Sequence, residues 1–135
     1  MELMDGATRS VRRGDAGWFR GEVWLSELAQ EGVPGGVEMA SVHFAPGART
    51  AWHAHPEGQL LHVVGGTGLV QSRGDDARLV RAGDTVRAEP GEVHWHGATS
   101  GQSMTHLAIQ PAGTEWHEHV EDEGYRTAQR LAESR

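Results

Sequence analysis

The chain contains no cysteine. That excludes a disulfide framework, a thiolate metal site and a cysteine nucleophile. No apolar run approaches the length that crosses a bilayer, and the opening Met1 to Gly6 (M-E-L-M-D-G) lacks the basic stretch and apolar run of a secretory leader. A cytoplasmic protein without a membrane partner is expected. An excess of positive charge is also missing: 12 Lys and Arg against 19 Asp and Glu leave a net charge of −7. Such a balance argues against nucleic acid as the main partner and points to a small molecule. What the chain has in abundance is 19 Gly and 9 His among 135 residues. Glycine at this frequency punctuates turns between short strands, and the histidines ask for a chemical role.

The turns separate stretches of β character at Phe19 to Leu25, Val37 to Phe44, Arg49 to His55 and Gln59 to Val64. More follow at Leu69 to Gln71, Ala77 to Val80, Thr85 to Ala88, Val93 to His96 and Ser103 to Gln110, with Trp116 to Val120 as a further edge. Residues 1–17 read as a polar arm, and 31–36 (E-G-V-P-G-G) as a turn. Charged, helix-forming residues over 121–135, with Tyr125, Ala128 and Leu131 at helical spacing, predict one terminal helix. The length suits one domain, and the run of short strands predicts an all-β sandwich or barrel over 1–135.

The chemistry concentrates between Gly47 and Gly66. On a strand, His53 and His55 point to one side, and Pro56 favours extended backbone at His55. Two imidazoles on one face can bind a transition metal, the side-chain oxygen of Gln59 can join them, and His94 offers a third nitrogen. His96 shares the face of His94 and is a candidate acid–base group beside that metal. His106, Ala108 and Gln110 have matching parity on another strand, which makes His106 a second proton-transfer candidate and Gln110 a group that orients substrate. Ala40, Val42 and Phe44 alternate into an apolar wall, and Thr50 turns inward if the strand bends at Arg49. His43, His62, His117 and His119 are expected outside the barrel. Trp52 and Trp95 alternate with the ligands and point outward, where the arm, the terminal helix or a second subunit must cover them.

Gly47, His53, His55, Gln59 and Gly66 resemble the first motif of the cupins, with Gln59 where an acidic ligand is usual. Gly83, Gly91 and His94 resemble the second, with Pro90 one place later than usual. The stretches A-R-T-A-W-H-A-H-P-E-G-Q, P-G-E-V-H-W-H-G, M-T-H-L-A-I-Q and W-H-E-H-V are similar to small bacterial cupins related to manganese-dependent hydroxynitrile lyases. The resemblance implies a double-stranded β-helix (jelly-roll) barrel around a six-coordinate metal held by His53, His55, Gln59 and His94. It also implies a homo-oligomer, most simply a dimer. Nitrogen and oxygen ligands admit Mn, Fe, Co, Ni or Zn; the resemblance alone selects Mn. Three imidazoles and an amide leave a divalent charge uncompensated, which favours an anionic guest such as cyanide or an alkoxide. The leading expectation is a lyase that cleaves cyanohydrins. A dioxygenase is the alternative enzyme, opposed by Gln59, and a non-catalytic cupin that binds small anions is the alternative binding protein, opposed by His96.

Overall fold

A computed structural model describes residues 1–30 and 32–135. The order along the chain is β1 (Arg12–Arg13), β2 (Phe19–Arg20), β3 (Val23–Ala29), β4 (Val37–Phe44), β5 (Arg49–Thr50) and β6 (His53–Ala54). It continues with β7 (Gln59–Ser72), β8 (Arg78–Arg81), β9 (Thr85–Ala88), β10 (His94–Ala98), β11 (Met104–Pro111), β12 (Glu115–Trp116) and the helix α1 (Asp122–Glu133). The turn expected at 31–36 appears at Pro34–Gly36, while Glu31 lies outside the described residues. Among the described residues no helix is long and apolar enough to cross a membrane.

The strands follow the hydrogen-bonded path β1-β3-β4-β11-β7-β10-β5-β2, and every ladder along it is antiparallel. The sequence pattern placed a strand end at Val64, before the Gly65-Gly66 pair; β7 instead runs through both glycines for 14 residues. Its first part pairs with β11 and β9, its second with β10 and β8. One strand therefore serves both halves of the sheet and curls it into a barrel. Gly66 makes the bend feasible. Its φ of 75° suits glycine, and a Cβ there would overlap the Ser103 carbonyl.

The barrel interior is apolar at its closed side, where Val23, Val42, Phe44, Val63, Val80, Ala98 and Met104 are buried together. A second core lies outside the barrel wall, where Leu69 and Trp95 meet Val120, Tyr125, Ala128 and Ala132. The outward indole of Trp95 is thus covered by the chain's own helix, with Trp52 packed at the edge of that cluster, so these two rings need no second subunit. Arg49 pins the helix: Nη2 donates to the Val120 carbonyl at 2.6 Å and to Asp122 Oδ1 at 2.8 Å, and the guanidinium lies 4.5 Å from the Tyr125 ring centre. The buried stripe is Tyr125, Ala128 and Ala132, whereas the expected Leu131 is 42% exposed. Steps of three and four residues keep one helix face, and a step of six from Tyr125 to Leu131 leaves it.

The arm is less passive than its polarity implied. It contributes β1, whose Arg12 lies opposite Leu25 and Arg13 opposite Trp24.

Candidate metal centre and catalytic pocket

His53 lies on β6, where its ladder partners are His94 of β10 and Trp116 of β12. The sequence pattern put His53 and His55 on one strand face. In the structure β6 ends at Ala54 and His55 occupies the turn before β7, so strand parity does not bring them together. Cross-strand pairing aligns His53 with His94, and the turn swings His55 back. Ring centres are 4.3 Å apart for His53 and His94, 5.0 Å for His53 and His55, and 5.7 Å for His55 and His94. His96, two residues on along β10, stands 5.1 Å from His53. Gln59 opens β7 and is buried with the others.

The hydrogen bonds determine which ring nitrogen is free. His53 Nδ1 donates to the Ala51 carbonyl at 2.9 Å, His55 Nδ1 to the Gly113 carbonyl at 3.2 Å, and His94 Nδ1 to the Glu92 carbonyl at 2.8 Å. A carbonyl only accepts, so each Nδ1 carries the proton and each neutral ring keeps its lone pair on Nε2. His94 Nε2 and Gln59 Oε1 lie 3.1 Å apart, while the Gln59 amide nitrogen donates to Gln110 Oε1 at 2.9 Å. Two acceptors therefore face each other in a buried place, and His55 Nε2 is buried without any partner. A cation shared among them satisfies all three atoms. The residues fit a divalent metal. Ligand atoms of His53, His94 and His96 also lie within 4.8 Å of one another.

The candidate ligands His53, His55, Gln59 and His94 include no carboxylate. Glu92, whose carbonyl orients His94, spends its carboxylate on the Ser72 hydroxyl and the Glu89 N–H. Burial pushes His53 well below the ordinary imidazole range, with His94 adding repulsion; burial also lowers His55 and His94. His96 is held far down by burial and then by His106, and burial takes His106 to about 4. Neutral rings are what metal ligation requires.

The same shifts predict acid sensitivity. Unfolded histidines take up protons near their usual value of about 6.5, whereas the folded rings resist, so the unfolded state binds more protons and stability falls as pH drops. For metal-stripped protein, the urea midpoint should fall between about pH 7.5 and about pH 5, with His106 alone accounting for roughly 2 kcal/mol. A midpoint that does not move over that range would contradict neutral burial of these rings.

Beside the cluster lies a second pair. His106 Nε2 and His96 Nδ1 share a hydrogen bond of 3.0 Å, and the outer nitrogens, His96 Nε2 and His106 Nδ1, are buried without partners. The Phe44 ring packs against both, at 5.3 Å from His106 and 6.0 Å from His96. Thr50 is buried, and its Oγ1 accepts the backbone N–H of His96 at 3.2 Å, so its hydroxyl supports the strand that carries the histidine. Ala40, Val42 and Ala108 are buried on ladders that run from His106 to Val42 to Leu25 and from Ala108 to Ala40 to Glu27.

Trp116 had no sequence signal, whereas Leu61 and Val63 share the parity of Gln59 on β7. Leu61 and Val63 of β7 sit opposite Ala108 and His106. Trp116 packs against His53 with ring centres 4.9 Å apart and planes tilted by 35°, a contact that only the pairing of β12 with β6 creates. His43 and His62 point outward as expected, bonded to Thr105 Oγ1 and Thr85 Oγ1. His117 and His119, also expected outside, are partly buried.

A curled antiparallel barrel with a buried cluster of imidazoles defines a β-barrel class able to hold a metal ion, and the model of the cupin domain matches residues 40–110. The chain belongs to the cupin family. It is 46% identical over 130 residues to an (R)-mandelonitrile lyase of Granulicella tundricola, covering 93% of this chain and 99% of that protein. The crystal structure of a cupin-like protein from Thermotoga maritima superposes with a TM-score of 0.83 at 40% identity, over 86% of this chain and 91% of the other. The polyketide cyclase RemF from Streptomyces resistomycificus shares the fold at 14% identity, with a TM-score of 0.73 over 96% of this chain and 93% of its own.

Proposed function

We propose that this cupin is a metal-dependent hydroxynitrile lyase, cleaving cyanohydrins of the mandelonitrile type to a carbonyl compound and hydrogen cyanide. The observation that carries the reading is the buried His96–His106 pair set beside a cluster of neutral imidazoles able to hold a cation. The likeness to an (R)-mandelonitrile lyase supports it.

His53, His55, Gln59 and His94 would hold the metal, with manganese the first choice and Fe, Zn, Co or Ni compatible with the same donors. A bound divalent cation supplies positive charge for the anion that develops as the carbon–carbon bond breaks, and no ligand carboxylate reduces that charge. Gln110 holds the Gln59 amide so that its oxygen faces His94, and in this reading it would also orient substrate.

Two neutral imidazoles sharing one hydrogen bond always present one bare nitrogen and one N–H at their outer ends. The bare end accepts the cyanohydrin hydroxyl proton. The C–O bond becomes a carbonyl, the bond to the nitrile carbon breaks, and its electron pair leaves with cyanide. The protonated pair then returns a proton to cyanide, so atoms and charge balance. Ala40, Val42, Phe44 and Ala108 shape the apolar space for the organic group, and Thr50 holds the His96 strand in place.

The test is benzaldehyde release from mandelonitrile by manganese-loaded protein and by the same protein stripped with chelator. Release well above background, lost on stripping and restored by Mn, is the expected result. A fully loaded protein with no release would overturn the lyase reading, and oxygen uptake by the iron-loaded form would then favour a dioxygenase.

A further inference from the structure

The row that leads from His106 through Val42 to Leu25 does not stop at the barrel wall: Arg12 of β1 lies directly opposite Leu25 and extends the same inner face. There the wall opens into a cleft of about 380 Å³ lined by Arg12, Trp18, Phe19, Leu25, Thr114 and Trp116. This cleft adjoins the metal centre through two contacts. Trp116 packs against His53, and Thr114 Oγ1 lies 3.4 Å from His55 Nδ1.

The cleft is a pinned, aromatic surface. Trp18 and Trp116 stack with ring centres 5.1 Å apart and planes only 3° from parallel, and Phe19 meets Trp116 edge-on at 5.9 Å. The arm that carries Trp18 is tied down on both sides: Ala51 N–H donates to the Trp18 carbonyl at 2.8 Å, and Gly14 N–H to the Val23 carbonyl at 2.8 Å. Trp18 nevertheless remains 44% exposed, so its free face is open to a guest. Arg12 does not turn the cleft into an anion site, because its guanidinium donates to Glu27 Oε1 at 2.8 Å. A rigid aromatic lining whose one cation is already paired selects a flat uncharged ring.

We propose that Trp18, Leu25 and Trp116 form an entry vestibule that captures the planar aromatic group of the substrate on its way to the apolar space beside Ala40 and Val42, with Trp18 as its specificity-determining residue. The N-terminal arm is then part of the binding site. The turnover consequences rest on the lyase reading above; the binding consequence does not.

The experiment has two arms on the full chain loaded with Mn. In the first, Trp18→Ala and Trp18→Phe are compared with the parent on mandelonitrile and on acetone cyanohydrin, which has no ring. The ratio of kcat/KM for mandelonitrile over acetone cyanohydrin should fall about tenfold in Trp18→Ala, mainly through KM, and recover in Trp18→Phe. Equal losses on both substrates would overturn the specificity role. In the second, benzaldehyde is titrated into the unmutated, metal-stripped protein while the tryptophan indole N–H signals are followed by NMR. Shifts confined to Trp18 and Trp116 support the vestibule, and shifts absent from both overturn it. Such shifts in a protein that cleaves no cyanohydrin would keep the vestibule and discard the lyase.

Discussion

Replacing His53 by alanine should leave the protein unable to retain metal. His53 is the hub of the imidazole cluster, with His94, His55 and His96 all within 5.1 Å of its ring centre. Its Nδ1 is committed to the Ala51 carbonyl, so its Nε2 has no role in the protein other than toward the centre of the cluster. Loss of an orienting partner alone weakens a metal site by about 10- to 100-fold, and loss of a ligand should exceed that. Metal content after dialysis measures it, with circular dichroism as the check on folding and the exposed His43→Ala as control. The companion variants His55→Ala and His96→Ala decide the third nitrogen. His55 has its proton locked on Nδ1 by a carbonyl, the arrangement shared by His53 and His94. His96 instead spends Nδ1 on another imidazole, which can either donate or accept. Metal should therefore be lost from His55→Ala and kept by His96→Ala. The reverse result would move the ligand role to His96, which is also close enough to His53 and His94 to take it.

For His106→Ala the expected outcome is full metal content with kcat lowered by about 10²- to 10⁴-fold, the usual contribution of a positioned proton-transfer group. The ring is 1% exposed, so its removal also opens a hole against Phe44 and His96, and His106→Gln serves as the variant that keeps bulk and polarity. If His96 and His106 work as one relay, deleting either should cost nearly as much as deleting both. Additive losses would mean two independent roles. Unchanged turnover in His106→Ala at full metal occupancy would remove the pair from the mechanism.

The local pattern carried much of this site. Strand parity alone put Ala40, Val42 and Phe44 on one face, set His94 with His96, and turned Trp95 outward, and all of these hold because β4 and β10 are regular over those residues. Glycine and proline marked most of the turns. The same reasoning failed where the backbone is irregular: it cut β7 at Gly65 and extended a strand through His55, since parity cannot register a bend at positive φ or a strand that ends at Ala54.

Other features arise only when distant segments meet. Nothing adjacent in sequence relates Trp116 to His53, Gln59 to Gln110, or Trp18 to Trp116; each is a contact between strands or arms separated along the chain. Residue types and their spacing therefore announce a cluster of histidines in this barrel able to hold a metal ion. The bonds to carbonyls and amides decide which nitrogen faces inward, because hydrogen-bond direction is a property of the assembled neighbourhood and not of the residue that carries it.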